Sequence, residues 1–278
     1  MKQTVLITGA SSGFGYYTAL NCAKRGFHVI ATMRNMDKAK LFEESEAAEE
    51  IKNNIEVWQL DVTDALSLAH FKERVRNLTR LDVLVNNAGF AIGGFVEQVP
   101  LEAYRRQFET NLFGVIQVTQ AVLPLMRKQG SGKVMNVSSI SGLIGFPGLS
   151  AYVSSKHALE GWSESLRFEV KPFGIDVALI EPGSYQTNIW STGMELPEEV
   201  HNPDSPYAFY VKGLWDALQQ ESPGKPEQVA ELMGKLAGRT NIPKLRYPVG
   251  PGVRMNLLFK TLLPWKWLER IVLKKLLR

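Results

Sequence analysis

TVLITGASSGFG, residues 4–15, is a short apolar run that breaks into a glycine-rich loop and then enters a helical pattern. Thr4–Thr8 reads as a buried strand, and Phe14 to about Arg25 as a helix. Together, strand, loop and helix start make a seat for a phosphate. Glycines turn tightly and let the backbone come close, and the free N–H groups of a helix start carry a positive dipole end. The spacing is G-x-x-x-G-x-G rather than G-x-G-x-x-G. Such a loop also serves as a plain strand-to-helix turn, but its place at the first such junction points to a nucleotide. Gly9, Ser11, Ser12, Gly13, Phe14 and Gly15 are therefore candidate cofactor-binding residues.

Beyond this unit, strands and helices alternate. Further strands are expected at Phe27–Thr32, Ile55–Leu60, Leu81–Val85, Val134–Val137 and Asp176–Ile180. Helices are expected at a charged stretch over 36–52, at Asp64–Leu78, over most of Leu101–Lys128, where Pro124 should kink or shorten the end, and at Ser150–Lys171. That alternation predicts an α/β fold, a doubly wound parallel sheet with helices on both faces. With 278 residues, 45% hydrophobic and 22% charged, the chain suits one large domain, taken here as residues 1–249. Ligands of such sheets bind beyond the carboxyl ends of the strands.

The strand ends supply the next candidates. After the second strand, dinucleotide sites often carry an acid for the adenosine ribose hydroxyls. Met33 and Arg34 stand there instead. A missing carboxylate and a present guanidinium favour a 2′-phosphate, hence NADP(H), the alternative being a solvated loop charge. Asp61-Val62 ends the third strand, where an acid can bond an adenine amino group. Asn86-Asn87-Ala88-Gly89 follows the fourth and suits either close approach to a ribose or a plain turn. Glu181-Pro182-Gly183 ends the sixth, with Thr187 placed to bond a carboxamide or a phosphate.

Chemistry concentrates in Asn136–Lys156, NVSSISGLIGFPGLSAYVSSK. Tyr152 and Lys156 are one helical turn apart on one face. A phenol ionises near pKa ~10 in water. A nearby ammonium favours the phenolate and moves it toward general acid/base use. Ser138 and Ser139 end the fifth strand, and a Gly/Pro-rich return brings a hydroxyl and the phenol toward one carbonyl oxygen. Asn111 lies within a helix, where Asn is a poor former and, if buried, needs partners; it can redirect the backbone and hold a water near Lys156.

These motifs, TGASSGFG, NNAG, Asn111, Ser139, Tyr152-x-x-x-Lys156 and Pro182-Gly183, occur in an order that resembles the short-chain dehydrogenase/reductase family over residues 3–190. The TMRN turn and long C-terminal part look most like carbonyl reductases of the hydroxysteroid and retinol dehydrogenase type. The resemblance implies hydride transfer between NADPH and a carbonyl, or the reverse from an alcohol. It implies Tyr152 as proton donor and acceptor, and Lys156 binding the nicotinamide ribose and lowering the Tyr152 pKa. It also implies Ser139 holding the substrate oxygen, Asn111 completing a proton relay through water, and a homo-oligomer. A non-catalytic NADP(H)-binding regulator of the same fold is the alternative, although sensing needs no proton donor.

Composition narrows the rest. One cysteine, Cys22, and four histidines without metal spacing exclude an internal disulfide and give no metal site. The opening MKQTVLITGA runs directly into a strand and glycine loop, so no signal peptide is expected and a cytoplasmic location is. Residues 184–220 should cover the substrate. Their Tyr185, Trp190, Met194, Tyr207, Phe209, Tyr210 and Trp215 fit either an apolar carbonyl substrate or packing of the lid on the core. Residues 250–278 hold seven basic residues against one acid, a net +6, which leaves −2 for the remainder of a chain of net charge +4. Lys266, Arg270, Lys274 and Arg278 step by four, with Trp265, Leu268, Val272 and Leu276 opposite. This basic amphipathic extension can dock on the domain or on another subunit, or make peripheral contact with an anionic membrane. Charge confined to one end, with no reader motif, argues against nucleic acid.

Overall fold

The first strand sets the layering. In β1 (Thr4–Ile7), Val5 and Ile7 join one buried cluster and Leu6 the other, because successive strand side chains point to opposite faces. A sheet buried on both faces reads as a continuous apolar run, which is what residues 4–8 are. The computed structural model describes residues 2–187, 189, 193–211 and 223–276. Trp190 and Trp215 of the covering segment and Arg278 of the tail lie outside them, as do the side chains of Lys275 and Leu276.

After β1 come α1 (Gly13–Lys24), β2 (His28–Met33), the short helices α2 (Lys40–Glu43) and α3 (Glu49–Lys52), β3 (Ile55–Gln59) and α4 (Ala65–Arg76). The middle of the chain forms β4 (Val83–Asn86), β5 (Ala91–Ile92), α5 (Leu101–Phe108), α6 (Gly114–Gln129), β6 (Gly132–Val137) and α7 (Ser150–Val170). The remainder forms β7 (Ile175–Pro182), β8 (Met194–Glu195), α8 (Pro226–Ala237), β9 (Arg246–Val249), α9 (Val253–Leu262) and α10 (Trp265–Leu276). Seven strands make one parallel sheet in the order β3-β2-β1-β4-β6-β7-β9, and β5 pairs with β8 outside it. Order reverses between β1 and β4, which opens the ligand crevice at their carboxyl ends. Helices α1 and α8 cover one face through Ala19, Cys22, Val229 and Met233. Helices α4, α6 and α7 cover the other through Phe71, Val118, Val122 and Leu166. No helix among the described residues is long and apolar enough to cross a membrane.

Three expectations need correction. The charged stretch over 36–52 is a 3-10 turn (Met36–Ala39) followed by α2 and α3, not one helix; its break comes where Ser45 turns its hydroxyl onto the Phe42 carbonyl. Pro124 sits inside α6, which continues to Gln129 and ends at Gly130 in the left-handed conformation, φ 68°. A seventh strand, β9, was not expected from RYPV. Its proline is tolerated because β9 is an edge strand, where one side of the backbone needs no ladder partner.

Phe71 is buried against the Trp58 ring at 6.4 Å between centroids. Truncating it to alanine removes that packing and leaves a cavity. Phe71→Ala should lower the unfolding free energy by about 3–5 kcal/mol, read as a lower urea midpoint at unchanged slope. A loss under about 1 kcal/mol would contradict the packing of this face.

Candidate active site

The glycine loop is locked to the loop after β4. Asn87 Nδ2 donates to the Thr8 and Gly9 carbonyl oxygens, both at 2.9 Å. Thr8 Oγ1 accepts from the backbone N–H groups of Asn87 and Ala88 at 2.9 and 3.0 Å. Gly9 has φ 66°, and a Cβ there would come within 2.7 Å of Ala88 Cα. The first glycine thus answers two demands, a left-handed turn and a close backbone crossing. Gly15 contributes differently: it does not line the cleft, and a Cβ would collide with the Gly9 carbonyl oxygen. Its role is to let α1 seat against the loop.

Beyond this lock lies a cleft of about 670 Å³. It gathers Gly9, Ser11, Ser12, Gly13 and Phe14 with Met33, Arg34, Asp61, Val62, Asn87, Ala88 and Gly89. At its other end lie Ser139, Tyr152, Lys156, Pro182, Gly183 and Thr187. Residues far apart in sequence therefore share one groove along the strand ends. Arg34 does not stand alone: Asn35 and Lys38 line the same end, so two cations face a space with no acid at the ribose position. Lys38 was missed, although it follows Arg34 by four residues. Asp61 Oδ1 is held by Thr63 through its backbone N–H at 2.9 Å and its hydroxyl at 2.8 Å. Phe90, Arg106, Thr110, Ile189 and Glu195 also line the groove without having been singled out.

Helix α7 carries Tyr152 and Lys156 into this cleft, both buried. Tyr152 is hydrogen-bonded to Ser139. Lys156 Nζ donates to the Val137 carbonyl oxygen at 2.8 Å and lies 5.7 Å from the centre of the Tyr152 ring. The expected lowering of the phenol pKa is corrected here. Burial pushes Tyr152 up to about 12, with the Ser139 bond opposing. Burial likewise brings Lys156 down to about 8, with Glu160 opposing. Burial is the larger influence on both groups.

Asn111 sits one shell further out. It lies in a π turn, Glu109–Phe113, between α5 and α6. Its Nδ2 donates to the Phe90 carbonyl oxygen at 3.1 Å and to Ser155 Oγ at 3.2 Å, while Oδ1 accepts from Phe90 N–H at 3.2 Å. The side chain ties α7 to the loop after β4 and does not itself line the cleft. The reading of Asn111 as a poor helix residue that redirects the backbone holds, but its polar atoms face Phe90 and Ser155 rather than Lys156.

Among the lid aromatics, Tyr185 belongs to the core. It is buried, packs edge-on to Phe14 at 5.4 Å, and would meet a Cβ at Gly224 or Gly250. Tyr207 stacks on Phe95 at 4.7 Å, and Tyr210 lies 5.6 Å from that ring.

A buried ionic group backs the catalytic face. Glu160 continues the four-residue spacing of Tyr152 and Lys156 along α7. Arg246 of β9 places Nε 3.0 Å from Glu160 and 3.3 Å from Glu181, and Nη1 3.0 Å from Glu164. Two buried carboxyls thus share one guanidinium. Burial, then the charge of Glu160, pushes Glu181 up to about 8; burial raises Glu160 as well. An unfolded glutamate loses its proton near pH ~4.3. The folded pair keeps one until about pH 8, so the folded state binds the extra proton between these values and stability falls as pH rises through that window. In Glu181→Gln that contribution is absent. Its melting temperature should decline less than the parent's from about pH 5 to about pH 9. Parallel curves would show that the pair holds no such proton.

Comparison with known proteins follows this geometry. The family model described as short chain dehydrogenase matches residues 3–195. The chain is 52% identical over 277 residues to the uncharacterized oxidoreductase YusZ of Bacillus subtilis, covering 99% of each. It is 37% identical to a 3-ketodihydrosphingosine reductase of Bacteroides thetaiotaomicron, over 91% of this chain and 90% of that one. A solved short-chain dehydrogenase from Sphingobium yanoikuyae in complex with NADPH superposes with a TM-score of 0.71 at 25% identity, covering 93% of each chain.

Proposed function

Because this chain belongs to the short-chain dehydrogenase family, we propose that it is an NADP(H)-dependent oxidoreductase that interconverts an apolar ketone or aldehyde and its alcohol, with Tyr152 as the general acid/base. The observation that carries this reading is the Ser139–Tyr152 hydrogen bond beside buried Lys156, in the same groove as the glycine loop. The NADPH-bound neighbour supports the cofactor. The likeness to a 3-ketodihydrosphingosine reductase supports a ketone carried on a long apolar chain.

The residues present fit the dinucleotide. Gly9, Ser11, Ser12, Gly13 and Phe14 would take the phosphates at the start of α1. Met33, Arg34 and Lys38 would take the 2′-phosphate end, and Asp61 with Val62 the adenine. Asn87, Ala88, Gly89 and Lys156 would hold the nicotinamide ribose, and Pro182, Gly183 and Thr187 its ring. When bound, NADPH supplies the hydride. Ser139 and Tyr152 supply the proton side. A phenol with its pKa raised stays neutral at physiological pH, which is the form that donates to a carbonyl oxygen. Ser139 aligns that oxygen with the phenol, and the Lys156 ammonium offsets negative charge developing beside it.

Two substitutions test the assignment. Tyr152→Phe should cut NADPH-dependent carbonyl reduction by roughly 10²–10⁴-fold while leaving NADPH binding, followed by its fluorescence, nearly intact. Activity close to the parent's would remove Tyr152 from the acid role. Arg34→Ala should raise the KM for NADPH about tenfold or more, with little change for NADH, since charge-assisted hydrogen bonds to a phosphate are worth about 1.5–3 kcal/mol. Equal effects on both cofactors would dissociate Arg34 from the 2′-phosphate.

A further inference from the structure

The amphipathic extension is not docked on the domain. In α9, Met255, Leu258, Phe259 and Leu262 recur at i, i+3, i+4 and i+7, the spacing that normally faces a core, yet they are 48–68% exposed. In α10, Trp265 and Ile271 are 71% and 56% exposed. Only Val253 is buried among the described side chains of the two helices. That anchor lies against Gly183 at the end of β7, and Lys260 bonds the Leu143 carbonyl oxygen in the loop after Ser139. The exposed stripe therefore starts at the rim of the catalytic cleft.

Charge selects the occupant. The same segment carries Arg254, Lys260, Lys266, Arg270 and Lys274 among its bases and one acid, Glu269. A second copy meeting this face symmetrically would set a net +6 against another +6. A bilayer with anionic headgroups answers both halves of the surface. Its acyl region takes the leucines, phenylalanine and tryptophan, and its phosphates take the bases bordering them.

We propose that α9 and α10 form a docking surface for anionic lipid membranes, holding the cleft mouth toward the bilayer. The helix pair inserts its apolar stripe to the headgroup boundary and needs no spanning segment. The proposal is independent of the reaction at Tyr152, and its test uses no turnover.

The test is co-sedimentation of the full chain with phosphatidylcholine vesicles, with and without phosphatidylglycerol. The parent should sediment with the mixed vesicles, with a blue shift in tryptophan fluorescence, and stay in solution with phosphatidylcholine alone. Leu258→Ser combined with Leu262→Ser should abolish sedimentation. Lys266→Gln and Arg270→Gln should weaken it about fivefold each. Circular dichroism melts should match the parent in every variant, because none of these side chains is buried. Absence of binding to mixed vesicles, or equal binding to both kinds, would overturn the proposal. So would a concentration-dependent dimer that the leucine substitutions dissolve without any vesicle binding, which would give this face to a second copy.

Discussion

Lys156 carries an ammonium into a place nearly without water, and the surroundings answer to that charge. Its desolvation is offset locally by the Val137 carbonyl oxygen and, from one helical turn on, by Glu160. Glu160 is itself buried and must be offset, so Arg246 reaches in from the edge strand. Arg246 in turn lies against Glu181, whose neighbours Pro182 and Gly183 line the catalytic end of the cleft. A buried charge with one partner removed costs several kcal/mol, so each member of this series holds the next in place. The result is a catalytic face whose geometry is set from behind by electrostatics, while Ser139 and Tyr152 meet in front.

The cofactor end rests on a different constraint, backbone proximity. Thr8, Gly9, Asn87 and Ala88 are bound to one another across the β1–β4 crevice. The amides of Asn86 and Asn136 extend this inward, bonding each other at 2.8 Å and reaching Thr119 on α6 and Ser163 on α7. Buried polar chains of this kind tie the sheet to the helices on its face. The groove is thus bordered by backbone tied across the β1–β4 crevice.

Legibility in the sequence followed the kind of constraint. Strands buried on both faces read as apolar runs, so β1, β2, β4, β6 and β7 were visible, the edge strand β3 showed through its alternating apolar residues, and the glycine loop announced itself because only glycine meets its steric demands. Arg34, Tyr152, Lys156 and Ser139 stood out because chemistry or spacing marks them. What escaped was tertiary. RYPV has no strand period, and β9 exists because β7 offers it an edge. Arg246 looks like any surface arginine until Glu160 and Glu181 are folded beneath it. Lys38 shares the Arg34 end only because the chain turns through a 3-10 helix there. The phenol pKa was misjudged because a spacing of four shows that two groups are close, whereas burial decides which charge state each can keep. Asn111 was singled out correctly as odd in a helix, but the π turn that redirects its amide is not encoded in any single residue.

The C-terminal residues look like an appendage in the sequence and are not one in the structure. Within a few residues the chain delivers Arg246 to the buried carboxyls, crosses Gly250 beside the Tyr185 ring, and seats Val253 on Gly183. Only then does it emerge as two helices with an exposed apolar stripe. Those helices are tied to β9 and to the Pro182–Gly183 corner, because few residues intervene and Val253 is buried against Gly183. The cleft and the basic surface are therefore mechanically continuous. The contact of Val253 with Gly183 joins the surface to the corner where the nicotinamide ring would lie.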